Sequence, residues 1–150
     1  MAYTYPPVSF FFDVVFLGEK LNNQKVETCF QSVTGLSVDM QTESLKEGGE
    51  NRFEHTLPVR TKYNPLVLKR GLVKDSKMVK WCMDAILNFD IRPMNLLVRL
   101  LNPNSPKALV TWEVINAWPK KWSISDLNAE QNSIAIESLE LNYSYFQTQK

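Results

Sequence analysis

The sequence predicts a single, mainly β domain with six to eight strands, mainly antiparallel, and one α-helix. Apolar and polar residues alternate with the two-residue period of a strand along most of the chain, whereas only one segment has helical periodicity. Aromatic residues form 11% of the 150 residues, which favours strands. A chain of this length buries roughly 68–70% of its unfolded surface, enough for one core. No repeat or linker divides it.

The first strands are predicted between residues 10 and 70. Residues 10–16 are apolar at every position but one and alternate as a strand does. A half-exposed strand is predicted over residues 38–43, and the polar residues 46–51, with their glycine pair, form a loop. Because proline interrupts a hydrogen-bond ladder, we expect a short strand over residues 53–57 to end at Pro58. Further strands are predicted over residues 66–70, 96–101 and 109–118, the last two joined by a hairpin-type loop.

The last predicted strand changes phase partway along its length. Its apolar residues are first Ile134 and Ile136, and then Leu139, Leu141, Tyr143 and Tyr145. A slip of one residue moves every following side chain to the other face of a sheet. We therefore predict a β-bulge near Glu137 and Ser138.

The helix is predicted over about residues 76–88, with Asp75 or Ser76 as its N-cap. Its polar residues form one narrow stripe of Lys77, Lys80, Asp84 and Asn88. A helix that packs against one core is usually apolar over one face only. The wider apolar arc fits either a helix enclosed by its own sheet and loops, or a helix that a neighbouring subunit covers on a second side. Candidates for that second contact are Val79, Trp81 and Met83.

The charge is balanced overall but uneven along the chain. Seventeen basic and sixteen acidic residues give a net charge of +1, which argues against a dedicated nucleic-acid or membrane-surface protein. Residues 1–50 carry a net charge of −4, residues 51–100 of +6 and residues 101–150 of −1. This asymmetry is either scatter on a solvated surface or self-complementarity between an acidic edge of one copy and a basic edge of the next.

The two cysteines and the N-terminal sequence bear on the compartment. Cys29 and Cys82 cannot build a disulfide framework, so a reducing compartment is expected. The start lacks the basic segment of a signal peptide. The longest apolar run, residues 8–17, contains Asp13 and is too short to span ~30 Å of hydrocarbon. We expect a chain made in the cytoplasm, without direct membrane insertion.

No catalytic or metal-binding constellation is found in the sequence. His55 is the only histidine, and neither Cys-x-x-Cys nor a phosphate-binding glycine loop is present. Neither an enzyme nor a cofactor nor a metal site is expected. Basic residues with interleaved aromatics between Arg52 and Lys80 leave open a monomeric β-barrel module that binds single-stranded nucleic acid.

Six stretches spread over almost the whole chain resemble a known family. They are residues 30–36, residues 42–51 with Glu47-Gly48-Gly49, residues 66–71, Trp81 in the helix, residues 112–118 with Asn116-Ala117-Trp118-Pro119, and residues 137–145. In this order and spacing they are similar to the myophage tail-tube protein family, in the branch found in phage-tail-like contractile injection systems. The ring protein of type VI secretion is similar as well.

The resemblance implies one tail-tube domain over residues 1–150, with two packed antiparallel sheets that form a β-barrel and one flanking helix. It implies that six subunits close a ring, that rings stack into a hollow tube, and that a contractile sheath drives the tube through a target membrane. The implied partners are further copies of the chain, sheath protein, baseplate and spike proteins, and lumen cargo, with no nucleic-acid specificity. The implied setting is a virion-like particle, either extracellular or membrane-anchored.

The resemblance also implies a contact segment and leaves one role open. The extended loop that reaches the next ring and the neighbouring subunit would comprise Lys46, Glu47, Gly48, Gly49, Glu50, Asn51, Arg52 and Phe53. Within the family, some members polymerise as the tube shaft and others form the initiator ring that joins the tube to the baseplate spike. The short termini, without an added domain, favour the repeating shaft subunit.

Overall fold

The chain forms ten strands and one helix among the residues that the structure describes. The computed structural model describes residues 11–18, 26–28, 30–46, 48–49, 52–73, 76–101, 104, 107–130 and 134–149. The elements are β1 (Phe11–Leu17), β2 (Val26–Thr28), β3 (Ser32–Thr34), β4 (Val38–Leu45), β5 (His55–Tyr63), β6 (Leu66–Gly71), α1 (Lys77–Asn88), β7 (Met94–Leu101), β8 (Ala108–Ile124), β9 (Ile136–Asn142) and β10 (Tyr145–Gln149).

Eight strands form two antiparallel sheets that share the long strand β8. The strand order is β2-β1-β7-β8-β9-β6-β3, and β10 also pairs with β8. Sheet I contains β2, β1, β7, β10 and the first half of β8, whereas sheet II contains the second half of β8, β9, β6 and β3. The mainly β, two-sheet prediction with one helix is confirmed. Since the path begins at β2 and ends at β3, the described strands do not close into a barrel.

A bend at Asn116 carries β8 from sheet I into sheet II. Asn116 has a φ of 55°, in the left-handed region that asparagine tolerates better than most residues. Its backbone N–H donates a hydrogen bond to the Asn95 side-chain oxygen at 3.1 Å. The pairing with β7 ends at Ala117, and the pairing with β9 begins at Trp118.

The core lies between the two sheets and under the helix. Its buried members include Val14, Phe16, Leu96 and Val114 from sheet I, Leu66, Leu68, Leu139 and Leu141 from sheet II, and Met78, Trp81 and Cys82 from α1. The Trp81 ring meets Phe16 edge-on at 6.0 Å, and its indole N–H donates to the Arg92 carbonyl oxygen at 2.9 Å.

The helix agrees with its prediction. It runs over Lys77–Asn88 with Ser76 as N-cap, while the other candidate, Asp75, lies outside the described residues. Phe89 ends the helix in the left-handed conformation, with a φ of 56°.

The strand prediction around Pro58 is wrong. Strand β5 begins at His55 and continues through Pro58 to Tyr63. The register shifts there, because Thr42 pairs with Pro58 while Gln41 pairs with Arg60, which leaves Val59 as an extra residue. A bulge of this kind in a two-stranded ribbon accommodates proline. Every residue of β4 is exposed, whereas the sequence indicates half-exposure.

The predicted bulge at Glu137 and Ser138 is also wrong. Strand β9 keeps one register with β6, from Gly71 opposite Ile136 to Leu66 opposite Leu141. Glu137, Leu139 and Leu141 are all buried, so the core-facing positions are odd-numbered throughout. The apparent phase change arises because an ionisable residue, Glu137, occupies a core position. The register irregularity lies on the partner strand β8, between Pro119 and Lys121.

Candidate assembly surfaces

The ribbon of β4 and β5, called the hairpin below, carries an unusual set of exposed apolar residues. Among the described strands, these two pair only with each other. The exposed apolar side chains are Val38, Met40, Leu45, Phe53, Leu57 and Val59. A two-stranded hairpin alone is marginally stable in water, and a large exposed apolar set marks an interaction site. The hairpin is therefore a candidate contact surface.

The base of the hairpin is fixed to the body of the domain. Gly35 has a φ of +96°, and a Cβ there would lie 1.9 Å from the Pro65 carbonyl oxygen. The Tyr143 hydroxyl donates to the Gly35 carbonyl oxygen at 3.2 Å. Tyr63 meets the rings of Tyr143 and Phe146 edge-on at 5.9 and 5.3 Å. These contacts set the direction in which the hairpin leaves the domain.

The predicted contact loop lies at the tip of the hairpin. Gly48 and Gly49 form the turn, and a Cβ at either position would meet no atom within 4 Å. Phe53 meets the His55 ring edge-on at 4.9 Å, and Lys46 pairs with Glu54 at 3.6 Å. Arg52 is exposed beside Phe53, whereas Glu47, Glu50 and Asn51 lie outside the described residues. The loop is thus an open tip.

The three predicted helix contacts have different positions. Trp81 is 7% exposed and belongs to the protein's own core, so it cannot face a neighbour in this fold. Val79 and Met83 are half-buried. The exposed apolar surface lies further along, at Leu87 and Phe89, which are 74% and 83% exposed. The sequence shows a wide apolar arc, but only the packing reveals which part of it remains uncovered.

A buried polar cluster joins sheet II to the start of the helix. Arg70 and Glu137 are 5% and 1% exposed, and their side chains pair at 2.9 Å between Nε and Oε2. The Trp122 indole N–H donates to Glu137 Oε1 at 2.7 Å, and Arg70 Nη2 donates to the Ser76 hydroxyl at 2.8 Å. The guanidinium also lies 5.3 Å from the centre of the Phe30 ring. Because every charged group here has partners, the cluster positions α1 and offers no reactive group.

Burial also keeps the thiol of Cys82 inert. Desolvation, followed by the charge of Glu137, raises its pKa to about 12. A thiol in this state is protonated at neutral pH and is a poor nucleophile.

A row of polar side chains crosses the outer face of sheet II. Ser32, Lys69, Ser138 and Ser123 lie opposite one another in a row across four strands. They line a shallow groove of about 670 Å³. The outer face of sheet I differs, because it holds the buried Asp13 carboxylate paired with Arg99 at 2.8 Å.

The described residues contain no cluster of three His, Cys, Asp or Glu side chains that could hold a metal ion. Within the same part of the chain, no helix has the length and apolar character needed to cross a bilayer.

Solved structures of contractile injection systems share this fold. A chain of the anti-feeding prophage baseplate, determined with 6-fold symmetrisation, has a TM-score of 0.90 at 29% identity, over 98% of this chain and 97% of that one. A chain of the extracellular contractile injection system PVC, from its sheath–tube complex in the extended state, has a TM-score of 0.80 at 22% identity, over 97% and 93%. Hcp1 from Flavobacterium johnsoniae has a TM-score of 0.61 at 11% identity, over 93% and 94%. No curated protein matches by sequence.

The family comparison agrees with the fold. Residues 8–147 match the T4-like virus tail tube protein gp19 family. This match covers nearly the whole chain, including the hairpin and both sheets. The chain therefore belongs to the T4-like virus tail tube protein gp19 family, a structural family and not one of enzymes, and is a tail tube protein of the kind found in phage-like contractile injection systems.

Proposed function

We propose that this protein is the repeating subunit of an inner tube, in which hexameric rings stack around a hollow lumen. The observation that carries the proposal is the hairpin, whose apolar side chains are exposed on a ribbon held firmly at its base. An exposed apolar set of this kind marks an interaction site, and a two-stranded ribbon gains stability when another molecule covers it. The 6-fold symmetrisation of the similar baseplate structure supports six copies per ring.

Sheet II supplies the edges through which a ring can close. Its outer strands are β3 and the second half of β8, and along residues 118–124 the latter pairs only with β9. Pairing of β3 in one copy with β8 in the next is a head-to-tail contact, and such contacts form a ring when the rotation closes. Ring closure would also remove two open strand edges that otherwise invite uncontrolled pairing.

The outer face of sheet II is the proposed wall of the lumen. Its row of Ser32, Lys69, Ser138 and Ser123 presents polar groups, and Ile124 and Ile136 line the same groove. A largely polar wall gives a moving polypeptide few apolar places to adhere. Cargo passage through the tube is therefore compatible with this face.

The helix side of the subunit is the proposed contact for other proteins. Val79 and Met83, with Leu87 and Phe89 beyond them, form a partly exposed apolar surface suited to a neighbouring subunit. Sheath protein would surround the outside of the tube, and baseplate and spike proteins would meet its first ring. The similar PVC chain comes from a sheath–tube complex. The particle would be virion-like, extracellular or membrane-anchored.

A second candidate is the initiator ring that joins the tube to the baseplate spike. The anti-feeding prophage baseplate chain is 29% identical with a TM-score of 0.90, compared with 22% and 0.80 for the PVC sheath–tube chain. A shaft subunit should polymerise alone into tubes of unlimited length, whereas an initiator should stop after one or two rings. Tube length in electron micrographs of the purified protein separates the two.

Replacing Gly48 with valine tests the stacking role of the hairpin tip. The variant should fold normally, because a Cβ at this position meets no atom within 4 Å, and it should form rings that do not stack. Gly48 is a better probe than Gly49, whose φ of +94° makes any side chain strained. Negative-stain micrographs would be compared with Lys80→Val, an exposed change on α1. Tubes of normal length from Gly48→Val would show that the tip is not a stacking contact.

A further inference from the structure

A second exposed apolar cluster lies at the end of sheet II remote from the hairpin. Leu72 and Val73, which follow β6, are 51% and 46% exposed, and Leu127 and Ile134, which connect β8 to β9, are 78% and 72% exposed. The Leu72 N–H donates to the Ala135 carbonyl oxygen at 3.0 Å, and Leu127 lines a small pocket with Ala135. The two segments are adjacent, and these four residues are called the tail-end cluster.

The hairpin tip has its own apolar face. Leu45 and Leu57 share this face, because Leu45 lies opposite His55 and Glu43 lies opposite Leu57. Phe53 extends the patch through its ring contact with His55. Leu45, Phe53 and Leu57 are 49%, 53% and 47% exposed. These three side chains are called the tip cluster.

The apolar residues change face along the hairpin. Nearer the base, the face of the tip cluster carries the polar pairs Asp39–Lys62 and Gln41–Arg60. There, Val38 and Met40 lie on the opposite face, which they share with Tyr63. Tyr63 packs on the domain's own Tyr143 and Phe146. The base therefore presents its apolar face on the Tyr63 side, whereas the tip presents an apolar face on the other side.

The base of the hairpin and the tail-end cluster lie at opposite ends of β6. Strand β6 begins two residues after the hairpin and ends at Gly71, directly before Leu72. At a rise of roughly 3.3 Å per residue, the six residues of β6 separate the two ends by roughly 20 Å. The hairpin is held at the other end of β6, and among the described strands its two strands pair only with each other, so no strand pairing brings the tip back to the tail-end cluster of its own copy. A second copy displaced along the strand direction can supply the contact.

We propose that the tip cluster of each copy seats on the tail-end cluster of the copy stacked beside it along the tube. This inference rests on the proposed function and names the receiving surface within it. Both surfaces are apolar and belong to the same chain, so a single head-to-tail contact between two copies covers both. A contact of this type can repeat from copy to copy along a filament. The contact would repeat around each ring. Once one contact has formed, the others form at a high effective concentration, so stacking of two rings would be stronger than a single contact.

Paired cysteines test which surface receives the tip. Phe53→Cys and Leu127→Cys would be combined in a Cys29→Ser background, with the buried Cys82 left in place. Since each copy then carries one thiol at each end, mild oxidation should link copies into a ladder of covalent multimers on a non-reducing gel. Disulfides need Cα atoms within about 7 Å, so the ladder reports direct apposition. The matched control is Phe53→Cys with Leu109→Cys, at an exposed position of β8 outside every proposed contact surface.

A charge substitution gives a second readout. Leu127→Asp should leave the fold intact, because the side chain is 78% exposed, and should raise the concentration needed for tube growth at least ten-fold while rings persist. Leu109→Asp, at an exposed leucine outside every proposed contact surface, is the control and should have a smaller effect. A ladder that forms with Leu109 instead of Leu127, or tubes unaffected by Leu127→Asp, would overturn the inference and leave the proposed tube intact. Wild-type rings that never stack would overturn it as well. Absence of any ring would remove the proposed function together with the inference.

Discussion

At the scale of single residues, the buried pair of Arg70 and Glu137 does most to define this core. Charged side chains are rarely buried unless they are paired, because removing a charge from water costs several kcal/mol. Glu137 meets this requirement with Arg70 and the Trp122 indole, and Arg70 meets it with Glu137 and Ser76. The pair thereby ties sheet II to the N-terminus of α1.

Removing one partner should be costly. Glu137→Ala removes the carboxylate that pairs with the buried Arg70 charge and accepts the Trp122 N–H, so we expect a loss of about 3–5 kcal/mol in the free energy of unfolding. Urea denaturation measures it, with Ser138→Ala, on the other face of the same strand, as a control expected to lie within about 0.5 kcal/mol of wild type. The double variant Arg70→Met/Glu137→Leu should be more stable than Glu137→Ala. Equal effects of Glu137→Ala and Ser138→Ala would contradict this role.

Cys82 predicts a pH dependence of stability. Burial raises the pKa of the folded thiol from 9.0 to about 12, so between these values the unfolded chain loses this proton while the folded chain keeps it. Stability should therefore be unaffected by this group below pH 9 and fall above it, by up to about 1.4 kcal/mol per pH unit. The pKa of Tyr143, raised to about 12 by burial and by Tyr63, acts in the same direction. Urea midpoints between pH 8 and 10.5 should decline less steeply for Cys82→Ala, and parallel curves would count against the assignment.

Single residues were the hardest feature to predict from the sequence. Glu137 has no partner nearby in the sequence, because Arg70 lies 67 positions away. The alternation alone therefore predicts a slip of register and a bulge, whereas the structure has a buried charge at this position. Trp81 is a candidate subunit contact in the sequence for a similar reason, since its contacts with Phe16 and Arg92 depend on the tertiary fold.

At the scale of elements, the hairpin depends on the glycine at its base. Gly35→Ala would place a methyl group 1.9 Å from the Pro65 oxygen at a φ that favours glycine, so we expect a loss of roughly 2–5 kcal/mol in the free energy of unfolding. Thermal and urea unfolding measure the change. Gly48→Ala, at the open tip, is the matched control and should remain within about 0.5 kcal/mol of wild type. A harmless Gly35→Ala would mean that the base is not fixed as described.

Most elements could be predicted because their patterns are local. Strands β1, β6 and β7 and helix α1 agree with their predicted positions within one or two residues. The predicted strand end at Pro58 is wrong because the rule applies to central strands. An exposed two-stranded ribbon with a bulge tolerates a proline within a strand. The exposure of every residue of β4 could not be predicted. Alternation indicates that one face of a strand is exposed to water and the other is covered, but not whether the same chain or another molecule covers it.

At the scale of the whole molecule, one copy of the chain leaves several apolar surfaces uncovered. Apolar hairpin residues, the apolar end of α1 and the tail-end cluster are all exposed in one copy. The family was recognisable from the order and spacing of short stretches along the chain, and the match over residues 8–147 confirms it. The receiving surfaces were not predictable, because they are assembled from segments far apart in sequence.

Electron microscopy of the purified protein over a series of concentrations tests the central claim most directly. Six copies of the 17.3-kDa chain should form rings with six-fold symmetry, and these rings should stack into hollow tubes as the concentration rises. The Gly48→Val variant, imaged in parallel, should retain the rings and lose the tubes. Rings of another symmetry, or single particles at every concentration, would contradict the proposed hexameric tube.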